Sequence, residues 1–123
     1  MNKTINPLQI AQSLTHVWSP KIISEVNHSY IKVAKLQGEF VWHHHANEDE
    51  MFMVLHGQLI IEFRDKIVEL NQGDFYVVPK GIEHNPVAEN ECLIMLIELK
   101  TTSHTGDTPH PNSKSIQQQL NEL

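Results

Sequence analysis

The sequence is short of several things, and each shortage narrows what it can be. It has one cysteine, Cys92, in 123 residues, which excludes an internal disulfide framework. Lys and Arg together number 9 against 15 Asp and Glu, a formal net charge of −6 with histidine neutral. No run of Lys or Arg interrupts that balance. A surface that tracks phosphates would be basic, so no nucleic acid is expected as a partner. No apolar run approaches the ~18–20 residues that span a bilayer, so no membrane partner is expected. Met1 to Ala11 carry one lysine and no apolar stretch of a secretory signal, which makes the cytoplasm the expected location. Aromatic residues are few, at 7%. Between Lys21 and Leu99 there is no helical period either.

What is present fits one β-rich domain. At 40% hydrophobic residues and this length, a single core can form. Eight short runs follow one another: KIISEV, YIKVAKL, FVWHHH, MFMVLH, QLIIEF, KIVEL, DFYVV and CLIMLIEL. They are rich in Val, Ile, Phe and Tyr and are broken by turn residues such as Gln37-Gly38, His56-Gly57, Pro79-Lys80-Gly81 and Glu89-Asn90. That spacing predicts an all-β sandwich or barrel. Residues 1–20 read as a lead-in, 21–100 as the β domain and 101–123 as a tail. In the tail, Ile116, Leu120 and Leu123 fall at helical spacing, which predicts a short docked helix. Cys92 opens the most apolar run and is expected as a buried strand thiol.

The excess is in histidine, with nine in the chain. Four lie between His43 and His56, and three are consecutive in WHHHANEDE. If Phe40 to His45 is extended, Val41, His43 and His45 share one face and Phe40, Trp42 and His44 the other. Glu50 begins the next strand and shares a face with Phe52 and Val54. His84, after the turn at Pro79 and Gly81, supplies a third imidazole. Neutral imidazoles and one carboxylate suit Fe, Mn, Co, Ni, Cu or Zn. Glu48 and Asp49 read as loop acids, with Asp49 also a residue that could orient a histidine. His16, His28, His56, His104 and His110 read as surface or structural.

These residues resemble the cupin superfamily. Its first motif, G-x5-H-x-H-x3–4-E-x6-G, is matched by Gly38, His43, His45, Glu50 and Gly57, with four residues instead of five after Gly38. Its second, G-x5-P-x-G-x2-H-x3-N, is matched by Gly73, Pro79, Gly81 and His84, with Ala88 in place of the asparagine. The stretch from Trp18 to Asp107 is similar to small single-domain bacterial cupins often labelled mannose-6-phosphate-isomerase-like. The resemblance implies a double-stranded β-helix, or jelly-roll barrel. It also implies one divalent metal ion per chain on His43, His45, Glu50 and His84.

Four protein ligands on a six-coordinate ion leave two positions for water, substrate or O2. That allows isomerase- or dioxygenase-type chemistry on a small polar metabolite. A non-catalytic small-molecule sensor and a metal-free structural barrel stay open beside it. Tyr30, Tyr76 and Glu83 are the candidates for acid–base or substrate contacts. Carbohydrate would want a cavity with polar donors, and dioxygenation an apolar one. Finally, Met51, Met53 and Leu55 face away from Phe52 and Val54, and Phe40 and Trp42 away from the ligands. One barrel has one interior, so the surplus apolar faces, together with the resemblance, imply a homodimer.

Overall fold

A computed structural model describes residues 3–106, 108, 110, 111 and 113–121. Seven strands form the body: β1 (Lys21–Val26), β2 (Ser29–Glu39), β3 (Glu50–His56), β4 (Leu59–Phe63), β5 (Ile67–Leu70), β6 (Phe75–Val78) and β7 (His84–Leu99). All pairings are antiparallel, in the order β1-β2-β7-β3-β6, with β4 joined to β5 and to the start of β7. This is the jelly-roll barrel that the motifs imply. The turns suit their residues. Asn27 takes a positive φ of 50° in the tight β1–β2 link. Gly57, at a φ of 92°, lets β3 pass into β4 so close to Glu91 that a Cβ would meet its carbonyl oxygen at 2.9 Å.

Strand β7 organises the molecule. His84 to Val87 pair with β4, and Leu93 to Glu98 lie between β2 and β3. The expected break at Glu89-Asn90 is therefore not a break. A shift of register between Leu36 and Gly38 on β2 absorbs the bend, and the strand runs on. The run FVWHHH, expected as a strand, makes no ladder. Its one bridge is His43 to His84.

Alternate residues of the strands fill the interior: Ala34 and Leu36 from β2, Phe52 and Val54 from β3, Ile94 and Leu96 from β7. Each fully buried Leu, Ile or Phe contributes roughly 1.5–3 kcal/mol over leaving it in water. Cys92 is buried among them, as expected, and burial pushes its thiol up to about 12, so it is inert at neutral pH. Helix α1 (Pro7–Ser13) starts on Asn6, whose side chain accepts from Gln9 N at 3.1 Å, with Pro7 in the first turn. It lays Ala11, with Leu14 just beyond it, on the outer sheet face against Val33 and Leu93.

The tail helix, α2 (Ile116–Asn121), forms but docks on a different residue from the one expected. Leu120 is 42% exposed and Gln119 only 1%, and Leu123 lies outside the described residues. The reason is Lys32, which is 1% exposed on the inner face of β2. Its ammonium lies 2.7 Å from Glu98 Oε1 and donates to Gln119 Oε1. A buried ammonium needs such partners, and that need turns the polar side of α2 inward.

Candidate metal centre

His43 enters the barrel because its backbone pairs with the first residue of β7. His43 N donates to His84 O at 3.0 Å, and His84 N to His43 O at 2.9 Å. Alternation then holds through the loop. His43 and His45 are buried and His44 is half-exposed, as their spacing predicts. Two of the imidazoles are oriented by carbonyls two residues back. His43 Nδ1 donates to Val41 O at 2.7 Å and His84 Nδ1 to Ile82 O at 2.9 Å. That fixes both tautomers and leaves each Nε2 with its lone pair for a ligand.

Glu50, first residue of β3, completes the group. Its Oε1 lies 3.4 Å from His45 Nε2 and 3.4 Å from His84 Nε2. One ligand atom from each of His43, His45, Glu50 and His84 falls within 4.8 Å of the others. Ligands of one ion are separated by at most about twice the bond length, or roughly 4–5 Å, so a single ion fits that spread. Among the described residues, Glu50 Oε1 and His84 Nε2 are buried without a hydrogen-bond partner. Leaving such groups unpaired costs about 1–3 kcal/mol each, and a cation would engage both.

Protonation suits the same end. Burial, followed by the charge of His84, lowers His43 to about 4, against a smaller opposing pull from Glu50. Burial alone would raise Glu50, but contacts with His45, His84 and Glu98 outweigh it and hold the carboxyl well below its usual range. Neutral imidazole and carboxylate are the forms that coordinate.

The group opens into a narrow cavity of about 40 Å³. Its walls are apolar, with Trp18, Leu36, Phe40, Phe52, Ile94 and Leu96 prominent, and His43, Glu50 and His104 are the titratable side chains facing it. One expectation needs correction here. Phe40 does not point away from the ligands. Its ring lies 5.5 Å from that of His43 and stacks on Trp18 at 4.8 Å. Residues 40–42 belong to no ladder, so strict alternation does not apply to them. His104, read as surface or structural, is the latter. It is half-buried and lines the cavity, and no signal in the polar tail marked it.

The other candidates lie elsewhere. Glu83 is exposed and held to Arg64 at 2.7 Å, and Arg64 covers Trp42 at 3.7 Å on the outside of the loop. Tyr76 packs on Phe63 and its hydroxyl takes Lys66. Tyr30 lies under Lys32 and Lys100. Val41, expected inside, is half-buried and contributes its carbonyl instead. Asp49 accepts from Lys80 N at 2.9 Å and so holds the loop. His16, His28 and His56 are exposed.

Comparison with known proteins agrees with this geometry. The uncharacterized protein YdbB of Bacillus subtilis (strain 168) is 41% identical over 101 residues, 81% of this chain and 89% of that one. The crystal structure of a cupin-2 domain containing protein from Shewanella frigidimarina NCIMB 400 superposes with a TM-score of 0.76 at 47% identity, covering 78% of this chain and 94% of that one. Protein NMB1881 from Neisseria meningitidis gives 0.73 at 32% identity, over 80% and 100%. The family model Cupin_2, a cupin domain, matches residues 29–98. That span runs from the first residue of β2 to Glu98 and holds all four residues of the histidine–glutamate group, so the chain belongs to the cupin family.

Proposed function

We propose that this cupin holds one divalent metal ion on His43, His45, Glu50 and His84, and uses it on a small molecule of largely apolar body. The apolar wall around the ligand group carries this reading. A sugar or sugar phosphate would lose its water to carbon walls with few compensating donors. The cavity therefore favours oxygenation-type chemistry over mannose-6-phosphate-type isomerisation. A bound ion supplies Lewis acidity and, as iron, reactivity toward O2. The chain's own residues do the rest. His43 and His84, fixed by carbonyl oxygens, offer their Nε2 lone pairs without a rotamer search. Phe40, Trp18 and Phe52 exclude water from the space beside them and give a flat guest its contact area.

A second reading has its own support. Tyr30, Tyr76 and Glu83, the candidates for acid–base work, all lie outside the cavity. A site with ligands but few proton carriers also suits a binding protein that senses its guest. Metal analysis of protein made without a histidine tag, followed by oxygen-uptake and thermal-shift assays with apolar acids, phenols and hexose phosphates, separates the readings. Less than one ion per chain under metal-replete growth would reject both. Stabilisation by hexose phosphates alone would reject the apolar guest.

A further inference from the structure

His104 stands apart from the four candidate ligands yet faces the same cavity. Its ring centroid lies 5.1 Å from that of Phe40, a ring that also meets Trp18, His43 and His110. The tail holds it there firmly. Lys114 N donates to His104 Nδ1 at 2.9 Å. The carbonyl of Lys114 in turn accepts from Gln119 Nε2 at 2.9 Å, and Gln119 Oε1 accepts from the buried Lys32. Nearby, Gly106 presses on the ligand loop so closely that a Cβ would collide with the carbonyl oxygen of His44. The loop carrying His104 is thus tied both to the barrel's inner polar pair and to the backbone between two candidate ligands.

A backbone N–H can only donate, so His104 Nδ1 is an acceptor without a proton. The neutral ring then carries its proton on Nε2. Burial, followed by the charge of Lys32, lowers this histidine to about 4, so the neutral form prevails at pH 7. The other polar groups of the wall are differently committed. Trp18 Nε1 donates to Gln37 O at 2.9 Å, His43 Nδ1–H is spent on Val41, and Glu50 only accepts. Among the described residues, the bond from Lys114 N engages Nδ1 of His104 and not its Nε2–H.

We propose that His104 is a ligand-contacting, specificity-determining residue. Its Nε2–H meets an oxygen acceptor on a flat apolar guest, a small aromatic carboxylate or phenolate, whose ring lies against Phe40 and Phe52. This rests on the metal-binding reading above. A guest without an acceptor would leave that N–H unpaired in an apolar space, which is how the residue selects.

Zinc-loaded protein and benzoate test it. Long-range 15N NMR of wild type should show His104 protonated on Nε2 alone, with that signal moving when benzoate is added. Calorimetry should show His104→Phe, which keeps a ring over Phe40, weakening benzoate binding about tenfold or more. His104→Gln, which can place an amide N–H near the same point, should stay within about threefold of wild type. Zinc content should be unchanged in both variants. Equal benzoate affinity in all three proteins, no benzoate binding to zinc-loaded wild type, or a proton on Nδ1 each overturns the role of His104 while leaving the metal site standing. Wild type that fails to take up zinc overturns the metal reading and this inference with it. The NMR result on wild type decides the tautomer even if a variant misfolds.

Discussion

Glu98 stands directly across the β3–β7 ladder from Glu50, so the carboxylate that faces the histidines has a second buried carboxyl beside it. The two are stabilised differently. Glu50 is kept ionised by the imidazoles next to it. Burial and the neighbouring Glu50 push Glu98 well above the usual carboxylate range, and Lys32 at 2.7 Å only partly opposes them.

Lys32 is therefore the cation on which this pair depends. Replacing it by Met should cost about 1–3 kcal/mol, because it leaves a buried carboxyl and Gln119 without their partner. Lys32→Met combined with Glu98→Leu should recover a large part of the loss, since no charge is then left alone. Urea titration of the two variants measures this. A single variant as stable as wild type would mean that neither Glu98 nor Gln119 depends on Lys32.

Stability of metal-free protein should depend on acid pH. His43 and His104 are each lowered to about 4 in the fold, chiefly by burial, from 6.5. Between those values the unfolded chain binds more protons, so stability rises with pH. Each contribution, as much as roughly 3 kcal/mol, is complete above about 6.5 and lost as pH falls toward 4. Glu98 acts in the opposite sense above its ordinary 4.5, since the fold keeps a proton that the unfolded chain releases. The two histidines outweigh it. Melting temperature in chelator should climb from about pH 4.5 to 6.5, and His104→Phe should flatten the climb. A level profile in wild type would contradict the burial of these rings.

Removing one ligand should uncouple metal from stability. His84→Ala is expected to lose the ion, and with it the shift that metal gives wild type, about 2.7 kcal/mol at a hundred times the dissociation constant. Metal titration followed by melting checks both. Wild-type behaviour from His84→Ala would rule out the four-residue site.

The outer sheet face bears on assembly. Helix α1 covers part of it, through Val33, Leu93, Leu55 and Met95. Phe75, Val77 and Leu99 remain 62%, 44% and 40% exposed, beside half-buried Met51 and Ile97 on paired strands. We propose that a second copy covers this patch as a two-fold dimer. Light scattering should give twice the chain mass, and Val77→Lys should give one chain mass with metal content intact. A wild-type mass of one chain at high concentration would reject the dimer.

The barrel and its histidine–glutamate group were legible because both rest on alternation. His43, His45, Glu50 and Phe52 lie inside as their positions require, and the fixed motif spacings brought His84 to them. The same rule held a signal that was not used. Lys32 alternates with Ala34 and Leu36, and Glu98 with Ile94 and Leu96, so parity alone places a lysine and a glutamate inside together. Phe40 escaped because the chain there is extended without a partner strand. His104 escaped for a different reason. Its position follows from Lys114, Gln119 and Gly106, contacts made across an irregular tail that carries no period to read.

Gly106, pressed against the backbone of His44, has a practical meaning. The strands end at Leu99, and a minimal unit would naturally be trimmed just after them. Such a protein would keep the four candidate ligand residues and the barrel's carbon walls. It would lose His104, uncover Phe40 and open Lys32 to water. Metal and ligand assays on it would then describe a different molecule, and any test of binding should be run on the chain with its tail attached.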